Sequence, residues 1–279
     1  MDTPIANKTS QHKFAFGRNW SQYARHITPI EVGRATDDLK HLVAPSSIKG
    51  KTFLDIGCGS GIHSLAALNL GAVHVDAVDI DEGSIATTRS LLQGNATPSS
   101  YDISRLDILS PSYSLGGKLY DIVYSWGVLH HTGNLWQAID NAIRFVAPGG
   151  LFVIAIYKKT PLCGFWKAEK AFYSRLNPVL CFPFTLSYSF LYILGLTLIG
   201  KNPYRYIKNY RNARGMNFWY DCVDWLGGYP YQSATAHEVR EFVERRGLSI
   251  ISERKTSPAR VAGLFGPGCA EYVFARQTQ

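Results

Sequence analysis

The chain has 279 residues, 46% of them apolar and 18% charged, with a net charge of +8. This length fits one large domain or a domain carrying an insertion, and the apolar share can fill a core, which excludes an intrinsically disordered chain. The charge admits nucleic acid, an anionic membrane or an acidic substrate as partner, but no long Lys/Arg run concentrates it. Five cysteines, at 58, 163, 181, 222 and 269, make an odd set without a C-x-x-C, so neither a disulfide framework nor a metal site is expected.

The chain opens on MDTPIANKTSQHK, which is polar and lacks the apolar stretch of a secretory signal. A reducing, cytoplasmic setting is therefore expected. Residues 14–50 carry a helix-like period with Phe14, Phe16 and Trp20, and residues 1–50 are expected to form an N-terminal helical cap. Residues 53–63 then read FLDIGCGSGIH: an apolar run closing on Asp55, three alternating glycines (Gly57, Gly59, Gly61), and an amphipathic segment bearing Ile62, Leu65, Ala66 and Leu70. The pattern predicts a strand, a tight glycine turn and a helix. Glycines at this spacing let backbone approach a ligand, and the helix start offers free N–H groups to an anion.

A second apolar strand, Val73–Val78, ends at Asp79, where an acid can accept both hydroxyls of a ribose. The dinucleotide pattern G-x-G-x-x-G would place its third glycine at position 62, which is Ile62, so a dehydrogenase is disfavoured. Asp81 can cap a helix running through Leu92, and a short strand, Asp102–Leu106, leads to Asp107. The next strand, Tyr120–Ser125, opens into WGVLHHTGN. Leu135, Ile139, Ala142 and Val146 then follow one turn apart on a helix that Pro148-Gly149-Gly150 should stop, before a buried strand at Leu151–Tyr157. Residues 51–157 thus read as a ligand-binding α/β core.

The alternation breaks over 158–232, where aromatics and basic residues replace the period, and a mostly helical insertion is expected. No charge occurs from Leu176 to Gly200, a run long enough to cross a bilayer. Pro178 and Pro183 interrupt it, and the chain must rejoin the sheet from Thr235 onward. A helical lid over an apolar acceptor is the preferred reading, with peripheral membrane contact through 176–200 as its competitor. Thr235 and Glu238 form a capping box before a helix, and strands at Leu248–Ser252 and Glu271–Ala275 let 233–279 complete the core. The order of elements predicts a doubly wound α/β sheet.

The loop D-x-G-x-G-x-G paired with Asp79 resembles the class I S-adenosylmethionine (SAM) methyltransferases. That resemblance implies a Rossmann-like sheet of about seven strands with the last, Tyr272–Ala275, antiparallel. It implies that Asp55, Gly57, Cys58, Gly59 and Gly61 hold the methionine end of the cofactor SAM, with Cys58 a small filler of the loop. Asp79 and Ile80 would take the ribose, and Asp107 and Ile108 the adenine. The stretch SWGVLHHT looks like its counterpart in small-molecule enzymes of the quinone-biosynthesis type, and places Ser125 and Trp126 beside the methionine part. His130 or His131, with His131 preferred, would take a proton from an acceptor hydroxyl.

The segment Phe16–Ala24, with Ala213–Met216 and Asp224–Pro230, is similar to a bacterial methyltransferase subgroup. Trp20 and Tyr23 would close over the sulfonium and border the substrate. Asp224 and Tyr229, on a Gly-Gly-x-Pro turn with Trp225 and Tyr231, would line the acceptor pocket, and Arg214 would pair with an acidic acceptor. The expected activity is methyl transfer to a small molecule, at the hydroxyl oxygen of a lipophilic natural product, quinone precursor or glycosyl unit. Methylation of RNA, and SAM binding without turnover, are the alternatives. RNA is disfavoured because no RNA-binding motif or basic stripe accompanies the core.

Overall fold

The computed structural model describes residues 27–44, 46–110, 115–210, 217–255, 263–266 and 268–278. In chain order the strands are β1 (Thr52–Ile56), β2 (His74–Asp79), β3 (Tyr101–Arg105), β4 (Tyr120–Trp126), β5 (Val146–Tyr157), β6 (Leu248–Lys255) and β7 (Cys269–Arg276). The helices are α1 (Pro29–Val43), α2 (Ile62–Asn69), α3 (Glu82–Asn95), α4 (Leu135–Ile143), α5 (Cys163–Tyr173), α6 (Pro178–Leu198), α7 (Pro203–Lys208), α8 (Phe218–Gly227) and α9 (Ala236–Glu244). A 3-10 turn, Leu129–His131, follows β4.

The strands form one seven-stranded sheet in the order β3-β2-β1-β4-β5-β7-β6. The pairs from β3 to β5 are parallel, and β7 runs antiparallel to both β5 and β6. The last strand in the chain is therefore the reversed one, as the family resemblance implies, but it lies between β5 and β6. The strand order reverses between β1 and β4, and a crevice opens there at the carboxyl ends of the strands.

Central strands are apolar on both faces, so each face takes a helical layer. On one side Leu39 and Val43 of α1 and Ile62 and Ala66 of α2 pack against Phe53, Val75, Ile122 and Tyr124. On the other, Leu135, Ile139 and Ala142 of α4 and Val239 and Val243 of α9 meet Leu54, Val123, Phe152 and Phe274. Trp136 and Phe242 meet at 4.7 Å with their planes tilted by 39°, joining α4 to α9. Register between β1 and β4 is fixed by a reciprocal pair: Asp121 Oδ2 accepts from the Thr52 N–H and hydroxyl, each at 2.9 Å, while Thr52 Oγ1 accepts from the Asp121 N–H at 3.0 Å.

Local signals decide most boundaries. Asp81 caps α3 through the Ser84 N–H, and the Thr235–Glu238 box caps α9, both as the sequence predicts. Val146 is a correction. It is not the last helical residue but the first of β5, and Pro148-Gly149-Gly150 lie inside that strand. The reason is Arg276, whose guanidinium donates to the carbonyls of Val146 at 2.7 Å and Ile143 at 3.1 Å, closing α4 early. The strand then absorbs the extra residues as an irregularity: Tyr120 pairs with Val146 and Ile122 with Leu151.

Helices α5 to α8 stand between β5 and α9 in the chain. Asn177, Asn202 and Asn217 cap α6, α7 and α8 through their side-chain oxygens, and Pro at the start of α6 and α7 supports the turn. Trp225 of α8 meets Tyr157, at the end of β5, edge-on at 5.4 Å, and Trp166 of α5 at 5.1 Å. This seats the helices at the same end of the sheet as the glycine loop.

Candidate active site

The loops after β1, β2, β3 and β4 meet at the carboxyl edge of the sheet. Gly57 (φ +79°) turns the chain so that its N–H and that of Cys58 donate to the Val78 carbonyl at 2.7 and 3.1 Å. A Cβ at Gly57 would stand 2.4 Å from the Val128 side chain. Gly61, also at φ +79°, opens α2 without any side-chain cap, so the first N–H groups of that helix have no side-chain acceptor. Cys58 is buried, and burial pushes its thiol well above the ordinary range, with the Asp55 and Asp79 charges adding to it. Its side chain packs with Ala77 and Ile85.

Two carboxylates flank this turn. Asp55 is buried at the end of β1 and accepts from the Ser64 hydroxyl at 2.6 Å. Burial pushes its pKa up to about 7, against the opposing hydrogen bond from Ser64. Asp79 ends β2; its Oδ2 accepts from the Gly59 N–H at 3.0 Å and its Oδ1 from the Asp81 N–H at 2.9 Å. Burial raises its pKa, and those two N–H groups oppose the rise. Ile80 is exposed beside it, its carbonyl taking Arg105 Nε at 3.1 Å. Past β3, Asp107 Oδ1 accepts from the Leu109 N–H at 2.9 Å. Ile108 is buried, and its carbonyl accepts from Asn141 at 2.6 Å, which anchors that loop to α4.

Ser125 and Trp126 leave β4 on opposite faces, as neighbours on a strand must. Ser125 is buried and donates to the Ile56 carbonyl at 3.0 Å. Trp126 is partly exposed and donates from Nε1 to Glu271 of β7 at 2.9 Å. His63, which the sequence did not single out, lies over Tyr124 at 5.2 Å and Trp126 at 6.5 Å, and burial lowers its pKa to about 4.

The two histidines lie in the 3-10 turn after β4. His130 is fully buried against Tyr157 at 3.9 Å, and burial drives its pKa well below the usual imidazole range. His131 Nδ1 lies 2.8 Å from the Pro230 carbonyl, and burial lowers its pKa to about 4. Asp224 and Trp225 lie on α8 rather than on the expected turn, and only 228–230 form the irregular segment that packs directly on His131. A Cβ at Gly228 would come within 2.7 Å of the imidazole. Behind it, Lys170 is buried, with its ammonium 3.5 Å from the Trp225 ring centre and bonded to the Trp225 carbonyl. Lys170 and Tyr157 carry no signal in the sequence, because Trp225 and Tyr231, which both of them meet, come from a later part of the chain. Trp20, Tyr23 and Arg214 lie outside the described residues.

The charge arrangement fits the cofactor that the resemblance implies. SAM carries a carboxylate, an ammonium and a ribose. The uncapped start of α2 suits the first, and the carboxylates of Asp55 and Asp79 suit the other two. A second acidic group lies elsewhere: His74, Asp76 and Asp102 converge within 4.8 Å around β2 and β3. Lys118 already reaches Asp76 at 3.2 Å and Asp102 at 3.7 Å, supplying the cation that this cluster needs.

A sequence model of the methyltransferase domain family matches residues 23–253. The chain belongs to that family, and its fold and glycine loop are those of the class I, SAM-dependent methyltransferases. It is 30% identical over 140 residues to a ubiquinone biosynthesis O-methyltransferase of Rickettsia akari (strain Hartford), covering 50% of this chain and 45% of that protein. It is 48% identical over 66 residues to a ribosomal protein L11 methyltransferase of Legionella pneumophila (strain Lens), covering 24% of this chain and 22% of that protein. The chain thus spans less than half the length of these curated relatives. An S-adenosylmethionine-dependent methyltransferase of Mesorhizobium loti shares the fold, with a TM-score of 0.52, 16% identity, and coverage of 86% of this chain and 96% of that one.

Proposed function

We propose that this protein methylates a hydroxyl oxygen of a lipophilic small molecule. Bound at the loops described above, SAM supplies an electrophilic methyl group on a sulfonium. The chain's own part is to hold, align and dry the reacting groups. Asp79 would hold the ribose hydroxyls, the glycine loop and Asp55 would hold the methionine end, and Asp107 with the Ile108 N–H would meet the adenine. The leaving thioether is neutral, so the leaving group needs no acid.

His131 is the observation that carries the choice of oxygen. An amine already has a free lone pair, whereas a hydroxyl must lose its proton as it attacks. Burial keeps the His131 ring neutral at neutral pH. Donation of the Nδ1 proton to the Pro230 carbonyl, 2.8 Å away, leaves the lone pair on Nε2. Tyr157, Trp225 and Tyr231 stand around this point and favour an apolar acceptor over a highly charged one.

The test is release of S-adenosylhomocysteine from SAM over a panel of phenols, glycosides and quinone precursors, run beside His131→Asn. Turnover on a hydroxyl compound that His131→Asn lowers by about 10²–10³-fold, with cofactor binding retained, supports the reading. Methylation confined to RNA or to amines, or an unchanged His131→Asn rate, sinks it.

A further inference from the structure

Helix α6 is amphipathic in the reverse sense for a core helix. Its inner side carries Thr185, Tyr188, Ser189 and Tyr192. Thr185 pairs with the Tyr173 hydroxyl at 2.7 Å, Tyr188 donates to the Phe265 carbonyl at 3.4 Å, and Tyr192 pairs with the Tyr206 hydroxyl at 2.9 Å. Its outer side carries Val179, Phe182, Leu186, Phe190, Leu194 and Leu198, three or four residues apart, and these are 44% to 79% exposed. Spacing of that kind makes one continuous stripe. Phe172 of α5, exposed and 6.0 Å from the Phe184 ring, widens it.

Charge decides what covers the stripe. Residues 158–210 hold eight Lys or Arg and a single acid, Glu169. Exposed cations stand at both ends of α6: Lys167 and Arg175 come before it, and Lys201, Arg205 and Lys208 after it. A second copy of this chain on the same face would bring like charges together. An anionic surface would complement them. The helix is 21 residues long and apolar enough to cross a bilayer. Crossing, however, would strip Thr185, Tyr188 and Tyr192 of their partners and separate α6 from α8, which packs against it.

We propose that α6 docks lengthwise on a bilayer of anionic phospholipid. Its outer stripe enters the headgroup boundary, and Lys167, Arg175, Lys201, Arg205 and Lys208 rest on the phosphates. This rests on the fold alone and holds whether or not the acceptor is a hydroxyl. Combined with that reading, it puts the acceptor in or at the membrane.

The experiment is vesicle flotation of the full chain, without cofactor or acceptor. Mixed phosphatidylcholine/phosphatidylglycerol vesicles are compared with phosphatidylcholine alone. The wild type is expected to float with the mixed vesicles only and to be released by salt. Lys201→Glu/Arg205→Glu/Lys208→Glu should weaken binding by more than about tenfold. Phe182→Ser/Phe190→Ser should abolish it while leaving S-adenosylhomocysteine binding intact, which shows that the core is folded. No flotation of the wild type, or flotation that both variants leave unchanged, overturns the proposal. So does a wild-type dimer that Phe182→Ser/Phe190→Ser dissolves without any vesicle binding, or resistance of the cellular protein to alkaline extraction from membranes, the mark of a spanning helix.

Discussion

The Gly59 N–H donates to Asp79 Oδ2 at 3.0 Å, so the acid that ends the second strand also holds the glycine turn that follows the first. One carboxylate thus links the two loops that must stay in register around a nucleoside. Asp79→Ala removes the proposed ribose acceptor and frees the turn together. The expected loss of SAM affinity is on the order of a hundredfold, about 2–3 kcal/mol. Calorimetric titration with SAM and S-adenosylhomocysteine measures it. Wild-type affinity in the variant would show that the ribose is held elsewhere.

The turn itself is sterically closed to a side chain. At Gly61 (φ +79°) a Cβ would lie 2.9 Å from Thr88 Cγ2 and 3.0 Å from Thr88 Cα, so backbone must give way. Gly61→Ala is expected to cost about 2–4 kcal/mol, combining strain with overpacking. Gly94, inside α3, has open space around it, so Gly94→Ala is expected to stabilise by up to about 1 kcal/mol. Urea unfolding of the two variants, side by side, separates these opposite signs.

Asp55 and His131 give opposite pH dependences. The Asp55 carboxyl titrates at about 7 in the fold against 3.8 unfolded, so its contribution is fully present below pH 3.8 and lost as pH rises through 7. Relative to Asp55→Asn, the wild type should gain about 2–4 kcal/mol as pH falls across that window. His131 titrates at about 4 against 6.5, so its contribution is present above pH 6.5 and lost as pH falls through 4. Relative to His131→Asn, the wild type should lose about 1–3 kcal/mol over that range. Unfolding curves of the three proteins across these windows test both signs.

Lys170 is a buried cation whose neighbours are largely aromatic. Burial draws its pKa down to about 7, against the opposing pull of Glu169. Its ion-pair partner is Glu169, 3.7 Å away and itself nearly buried, and removing one member of a buried pair leaves the other uncompensated. Lys170→Met should therefore lose about 3 kcal/mol. Glu169→Gln/Lys170→Met, which removes both charges, should recover most of that loss. Thermal unfolding at neutral pH distinguishes the two.

What was legible in the sequence had its causes close together in the chain. Asp55, the glycine turn, Asp79, the Asp81 cap and the Thr235–Glu238 box are each fixed within a few residues by backbone geometry. Val146 was misassigned because its helical spacing is real, and the competing influence is Arg276, 130 residues away. The surroundings of Lys170 were invisible for the same reason: Trp166 stands one turn earlier on α5, but Trp225 and Tyr231 come from beyond α7. The apolar run 176–200 announced a helix, but hydropathy alone does not say which side of a helix faces out. The inward side of α6 was settled by Tyr173, Tyr206 and Phe265, none of which belongs to the run.

The position of β7 bears on how the protein is made. Its pairing partners are β5, completed at Tyr157, and β6, which is completed only at Lys255. On the ribosome, the five parallel strands therefore emerge long before the outer edge of β5 finds its neighbour. That edge belongs to a strand whose residues from Leu151 to Ile156 are all buried in the finished sheet. Synthesis of the stretch from 158 to 268 is the interval in which the nascent chain presents an apolar, unpaired strand to other chains, and in which a holding chaperone would matter most.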